Sequence, residues 1–263
     1  MRIAFIGGTG FYEAKFLEDP REIPVKTPYG EVKTLLGKHK GKEIVFITRH
    51  GKGHAVPPHL VNYRANIASL KTLGVKGILA SAAVGSLNMD MEPGHLVILD
   101  QFLDFTKGRQ GTFFQGEKMP VVHTDMSYPY CDFLRETLFQ VGKSLGLKVH
   151  PSGTYVCTEG PRFESSAEIK MFRTLGAHVV GMTGVPEVVL AREAGICYTS
   201  VALVTNYAAG ISPTLLTHEE VVEMMKINSQ NFLKLLLKTV ESLPEEWECS
   251  CEKRPEAELI TGG

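Results

Sequence analysis

The sequence predicts a single α/β layered domain, and two observations predict it. Short β-type runs alternate with segments of helical period along the chain. No internal repeat, low-complexity tract or Pro/Gly/Ser linker interrupts them, and 263 residues suffice to bury one large core.

The elements follow in order. Residues 2–6 form an apolar first strand, followed at once by Gly7-Gly8-Thr9-Gly10. Two β-runs, 31–36 and 43–48, flank the turn-prone Gly37-Lys38-His39-Lys40-Gly41 and read as a hairpin. From Pro58 the apolar residues Leu60, Val61, Tyr63, Ile67 and Leu70 recur at helical spacing until Gly74 stops them. Ile78-Leu79-Ala80 then reads as a buried strand, and the small residues from Ser81 to Leu87 after it either let the backbone approach a ligand closely or make a tight turn under a helix. Helical patterns at 133–146, 165–175 and 187–194 alternate with strand-like runs at 149–157, 178–181 and 197–205. Thr217-His218-Glu219-Glu220 has capping-box form, and the amphipathic stretch behind it predicts a last helix through Leu237. After Pro244 the chain turns polar and charged. The expectation is a domain over 1–245 and a mobile tail over 246–263.

Composition narrows the function classes. Twenty-eight basic against 29 acidic side chains give a net charge of -1, which argues against polyanionic partners and for a small-molecule function. No apolar run approaches the roughly 20 residues that cross a bilayer, and the first strand lacks a cleavage-site pattern. A cytoplasmic protein is expected, with neither nucleic acid nor membrane as partner. Of the five cysteines, Cys131, Cys157 and Cys197 lie singly in apolar contexts and read as inert small hydrophobes. Cys249-Ser250-Cys251 reads equally as a strained disulfide or as a pair of reduced thiols. Few Asn and Gln beside many Lys and Glu lean toward growth at high temperature.

Several short motifs could carry chemistry. Glycines at 7, 8 and 10 let backbone N–H groups converge on an anion, and the Thr9 hydroxyl adds a donor. A dinucleotide fingerprint would need a full helix next, yet Pro20 and Pro24 interrupt that βαβ unit. Arg49-His50-Gly51-Lys52-Gly53-His54 concentrates donors at a strand end, either as an oxyanion site or as a solvated basic loop. In Thr158-Glu159-Gly160-Pro161-Arg162-Phe163-Glu164 a ring can stack on a flat base while a carboxylate accepts its N–H groups. Core packing and a helix-start charge account for the same two residues. Thr183, between a strand and a helix, is a ligand hydroxyl or a cap. Asn206 ends an apolar strand with an amide that both donates and accepts, or is a turn residue.

Order and spacing of these motifs resemble the trimeric nucleoside phosphorylases, which comprise purine nucleoside phosphorylases and methylthioadenosine phosphorylases. The resemblance rests on Gly8-Thr9-Gly10, Arg49-His50, His54 with Asn62-Tyr63, Gly85-Ser86-Leu87, Glu159-Gly160-Pro161-Arg162-Phe163 and Met182-Thr183-Gly184-Val185-Pro186-Glu187. It implies a phosphorylase-type fold with a central mixed β-sheet flanked by helices. It also implies that Thr9, Arg49, His50, the backbone at Ala83 and Thr183 hold phosphate, and that Tyr63, Met182 and His218 border the ribose. Phe163, Glu164 and Asn206 would hold the base, with Asn206, Glu164 and His50 catalytic. His123 resembles a residue lent to a neighbouring subunit, in a homotrimer or a hexamer built as a dimer of trimers.

The resemblance implies no metal and no cofactor; inorganic phosphate enters as a co-substrate. Glu164 and Asn206 match the 6-oxopurine branch, because an amide donates to a 6-oxo group and a carboxylate accepts from N1–H. Inosine and guanosine are the expected substrates, with methylthioinosine or methylthioadenosine as alternatives. Ala82 departs from the methylthioadenosine branch, which carries a hydroxyl residue there. A nucleotide-binding or NAD-dependent module would leave every motif beyond the first glycines unexplained.

Overall fold

The computed structural model describes residues 1–8, 16–51, 53, 55–116, 119–212, 218–251 and 255–262. Strands β1 (Arg2–Gly7), β2 (Glu18–Thr27), β3 (Gly30–His39) and β4 (Lys42–Thr48) precede helix α1 (Tyr63–Thr72). Then come β5 (Val75–Ser86), β6 (Leu96–Ile98), β7 (Gln101–Phe105) and α2 (Asp132–Ser144). β8 (Val149–His150), β9 (Thr154–Thr158), α3 (Ser166–Thr174) and β10 (Val179–Gly181) follow, with α4 (Gly184–Glu193), β11 (Cys197–Tyr207) and α5 (His218–Ser242) last. No helix among the described residues is long and apolar enough to cross a membrane.

All eleven strands join one mixed sheet, ordered β2-β3-β4-β1-β5-β10-β9-β7, with β11 beside β5 and β6, and β8 beside β6. Successive side chains of a strand face opposite ways, and β1 shows the consequence. Ala4 and Ile6 point into a core shared with Ile67 and Leu70 of α1 and Val188 and Leu190 of α4. Ile3 and Phe5 point into one shared with Leu134 and Leu138 of α2 and Phe232 and Leu236 of α5. The sheet therefore lies between two helical layers, as expected for α/β patterning.

Four departures from the sequence reading have physical causes. A strand not expected from the sequence, β2, runs through Pro20 and Pro24: it is an edge strand paired only with β3 among the described residues, and proline is tolerated at a sheet edge. The small residues after Ala80 are not a turn but the second half of β5. Pro151, Ser152 and Gly153 split the expected 149–157 strand into β8 and β9. The tail is not mobile throughout. Trp247, Cys251, Ala257 and Ile260 are buried, and a 3-10 helix spans Pro255–Thr261.

That tail also changes the reading of the cysteines. Cys131 and Cys197 are not isolated: with Cys249 and Cys251 their sulfurs all lie within 4.8 Å of one another, and the Cys197 and Cys249 sulfurs are 3.1 Å apart. Four soft donors this close are the one group among the described residues able to hold a thiophilic metal ion.

β5 positions the site. Along its first half β1 runs parallel to it as far as the Ile6/Ala80 pair, and β10 joins antiparallel only at Gly85 and Ser86. From Ser81 to Val84 one edge of β5 thus has no strand neighbour among the described residues, while β11 covers the other edge throughout. A sheet that changes neighbours midway along a strand opens a crevice there, the usual place for a ligand in α/β proteins.

Candidate active site

A cavity of about 420 Å³ lies at this opening, within the range of small-molecule sites. It is lined by Arg49, His50, Ala83, Phe163, Glu164, Met182, Thr183 and Asn206, which arrive from β4, β5, β9, β10 and β11 or the turns that follow them. Tyr63 does not reach it. That side chain is 3% exposed, and its hydroxyl donates to the Pro58 carbonyl at 2.9 Å. His123 is exposed and does not line its own chain's cavity. Thr9 and the side chain of His218 lie outside the described residues. His218 opens α5, and Val221, three residues on and hence on the same helix face, lines the cavity.

One end of the cavity carries a buried guanidinium. The Arg49 Nε and Nη2 donate to the two Glu187 oxygens at 2.6 and 2.7 Å, and Nη1 donates to the Ser81 carbonyl on the open edge of β5 at 2.9 Å. A guanidinium has five N–H groups; three are used, and two remain for a ligand. Burial opposes the charge on Arg49, but Glu187 outweighs it and holds the guanidinium firmly protonated. The Tyr198 hydroxyl donates to the same carboxylate at 2.8 Å. Removing one partner of such a buried pair costs about 3–5 kcal/mol, so the fork is held in one orientation.

Around this fork stand further polar groups. The Gly8 N–H donates to the Ser81 hydroxyl at 2.9 Å, which docks the end of β1 on β5. The His50 Nδ1 lies 2.9 Å from the Val56 carbonyl; a carbonyl only accepts, so Nδ1 carries the proton. Thr183 occupies the N-cap position of α4 but makes no side-chain capping bond, and it lines the cavity.

The sequence reading missed what holds Thr183 in place. The Tyr155 hydroxyl accepts from the Thr183 and Gly184 N–H groups at 3.0 and 3.2 Å. Its ring fills the space that a Cβ at Gly181 or Gly184 would need, with approaches of 2.7 and 2.8 Å. Those glycines are therefore packing requirements, legible only once β9 lies beside β10.

The other end carries an aromatic ring, a carboxylate and an amide. Phe163 and Glu164 sit just before α3, whose start is fixed by a capping box between Ser165 and Glu168. Phe163 is not core-packed: it is 39% exposed at the cavity wall. The Thr158 hydroxyl lies 2.6 Å from Glu164 Oε1, and burial raises the Glu164 carboxyl above the usual carboxylate range. Asn206 is not a turn residue but pairs with Gly85 inside β11, behind an irregularity at Thr205. Its Nδ2 donates to the Tyr207 carbonyl at 2.9 Å, and its Oδ1 is 2.7 Å from the Thr205 hydroxyl. One N–H and one oxygen lone pair are left over. Thr205 and Val221, both lining residues, carried no sequence signal.

A buried guanidinium at one end, an aromatic ring with a carboxylate and an amide at the other, and small residues between them make this cavity the candidate active site of an α/β enzyme. The chain belongs to the Phosphorylase superfamily, whose family profile matches residues 2–241. It is 58% identical, over 96% of its length and 95% of the relative's, to a Dictyoglomus turgidum protein named "Probable 6-oxopurine nucleoside phosphorylase". It is 53% identical to the 6-oxopurine nucleoside phosphorylase of Pyrococcus furiosus, covering 95% and 96% of the two chains. Among solved structures it resembles the methylthioadenosine phosphorylase of Schistosoma mansoni in complex with adenine, with a TM-score of 0.88, 35% identity, and 91% and 90% of the two chains covered.

Proposed function

We propose that the protein catalyses the reversible phosphorolysis of 6-oxopurine nucleosides, releasing hypoxanthine or guanine and ribose 1-phosphate. The observation that carries this is Asn206 and Glu164 lining the same cavity: an amide with a spare N–H and a carboxylate. The amide donates to the 6-oxo group, and the carboxylate accepts from N1–H.

Phosphate enters as co-substrate against the two spare N–H groups of Arg49, His50, the Thr183 hydroxyl and the β5 backbone at Ala83, with Thr9 as a further donor. As the glycosidic bond lengthens, the ribose gains oxocarbenium character, and the dianion below it stabilises that charge. Asn206 and Glu164 stabilise the electron-rich purine as it departs, with Phe163 against its face. Donors fixed before the reaction and aimed at charge that develops during it give the largest catalytic effects. Met182 and His218 border the sugar. The chemistry calls on no metal or organic cofactor, since the attacking group arrives already charged.

His123, exposed in a segment with Val121 at 72% and Tyr128 at 71% exposure, suits a residue lent to a neighbouring copy. A homotrimer, alone or paired into a hexamer, follows from that reading. Val221 favours a second substrate class, because an apolar side chain on the face of His218 also suits a 5′-methylthio group. Base release from inosine, guanosine, methylthioinosine and methylthioadenosine, with and without phosphate, tests the proposal. Phosphate-dependent cleavage fastest with inosine or guanosine is expected. Preference for methylthioadenosine overturns the substrate assignment, and cleavage without phosphate overturns the reaction.

A further inference from the structure

Arg109 lies on the loop after β7 and is absent from the cavity wall, yet its guanidinium is 2% exposed. All five of its N–H groups are spoken for. Nη1 donates to the Val185 carbonyl at 2.6 Å and the Tyr63 hydroxyl at 3.2 Å. Nη2 donates to the Thr158 and Glu159 carbonyls at 3.1 and 2.8 Å, and Nε to the Glu159 carboxylate at 3.1 Å. That carboxylate in turn accepts from the Lys107 and Gly108 N–H groups at 3.1 and 3.4 Å, which closes the loop around the guanidinium.

The segments so joined are those that carry the site. Thr158 orients Glu164 through its hydroxyl, and Val185 stands two residues beyond Thr183. The geometry points to Arg109 as a positioning residue that fixes the spacing between the base-binding segment 158–164 and the phosphate-binding segment 181–185, while touching neither substrate. Tyr63 then has a role after all, as the hydroxyl on which this fork rests. A lysine cannot substitute, because three donors on one ammonium do not reach five acceptors held in a plane. This inference rests on the phosphorolysis reading for what the two segments bind, but not for the tie between them.

The test is R109K, measured three ways. Misplacement of about 1 Å costs on the order of 100-fold in rate, so kcat/KM for inosine is expected to fall by that order, with KM for phosphate and for nucleoside both raised. A loss of folded protein alone would lower kcat and leave KM unchanged. Amide hydrogen exchange is expected to speed up in 158–164 and 181–185 while α2 keeps its protection. Should R109K fail to fold, E159Q, which leaves the guanidinium in place and weakens its anchor, is expected to show the same split and the same exchange. Kinetics within threefold of the parent, or unchanged exchange in both segments, overturns the inference. If the parent protein itself cleaves no nucleoside, the functional proposal fails, and the exchange measurement still decides the role of Arg109.

Discussion

Replacing Asn206 separates base recognition from every other part of the site. Its amide uses one N–H on the Tyr207 carbonyl, and its oxygen faces the Thr205 hydroxyl, so one donor is left for the purine edge. In Asn206→Ala that donor is gone where negative charge builds on the leaving base. Loss of one such group is worth about 2.7–4 kcal/mol, a fall of roughly 100- to 1,000-fold in turnover. Asn206→Asp is the sharper probe. The carboxylate turns an acceptor toward a 6-oxo group and toward the Tyr207 carbonyl; the second penalty is common to all substrates and cancels in a ratio. Mismatching one buried donor and acceptor costs about 1–3 kcal/mol, so selectivity should shift roughly 5- to 150-fold toward 6-aminopurines. The assay is kcat/KM for inosine and for adenosine on parent and variant. An unchanged ratio would refute the recognition argument, and near-normal turnover in Asn206→Ala would refute the catalytic one.

Other perturbations follow from the same geometry. Because burial raises the Glu164 carboxyl, kcat/KM for inosine should climb with pH through a limb lying above the usual carboxylate range, and Glu164→Gln should flatten that limb. The folded state then holds a proton that the unfolded state has released, so this group's contribution to stability falls over the window in which activity rises; calorimetry across the limb checks the sign. Glu187→Gln leaves the buried Arg49 charge without its counter-ion and should destabilise the fold by about 3–5 kcal/mol, read from urea unfolding. Trp247→Ala should cost about 3–5 kcal/mol in the same experiment, since that ring is 7% exposed; a cost under about 1 kcal/mol would return the tail to the solvent.

The α/β layering was legible because apolar periodicity is local, and the central helices and strands lie where that periodicity puts them. Pro20 and Pro24 concealed β2, since a sequence does not say which strand will be an edge. The run from Ser81 to Ser86 concealed half of β5, because small residues mark both turns and strands that a ligand approaches closely. The candidate residues that line one cavity, Arg49, Glu164, Thr183 and Asn206, were legible because each is a distinctive side chain near an element's end. Tyr63, whose neighbours fit the family pattern, has its hydroxyl turned onto the Pro58 carbonyl. Tyr155, Arg109 and the four-cysteine cluster depend on contacts across 28 to 120 positions, which no local signal carries.

For phosphorolysis, one cavity must grip an oxyanion at one end and a purine at the other. A crystal structure with orthophosphate and hypoxanthine bound measures this directly. Phosphate should lie within hydrogen-bonding distance of Arg49 and Thr183, and the purine should lie against Phe163 with Glu164 and Asn206 on its polar edge. Phosphate and base bound elsewhere, with those five side chains contacting neither, would contradict it.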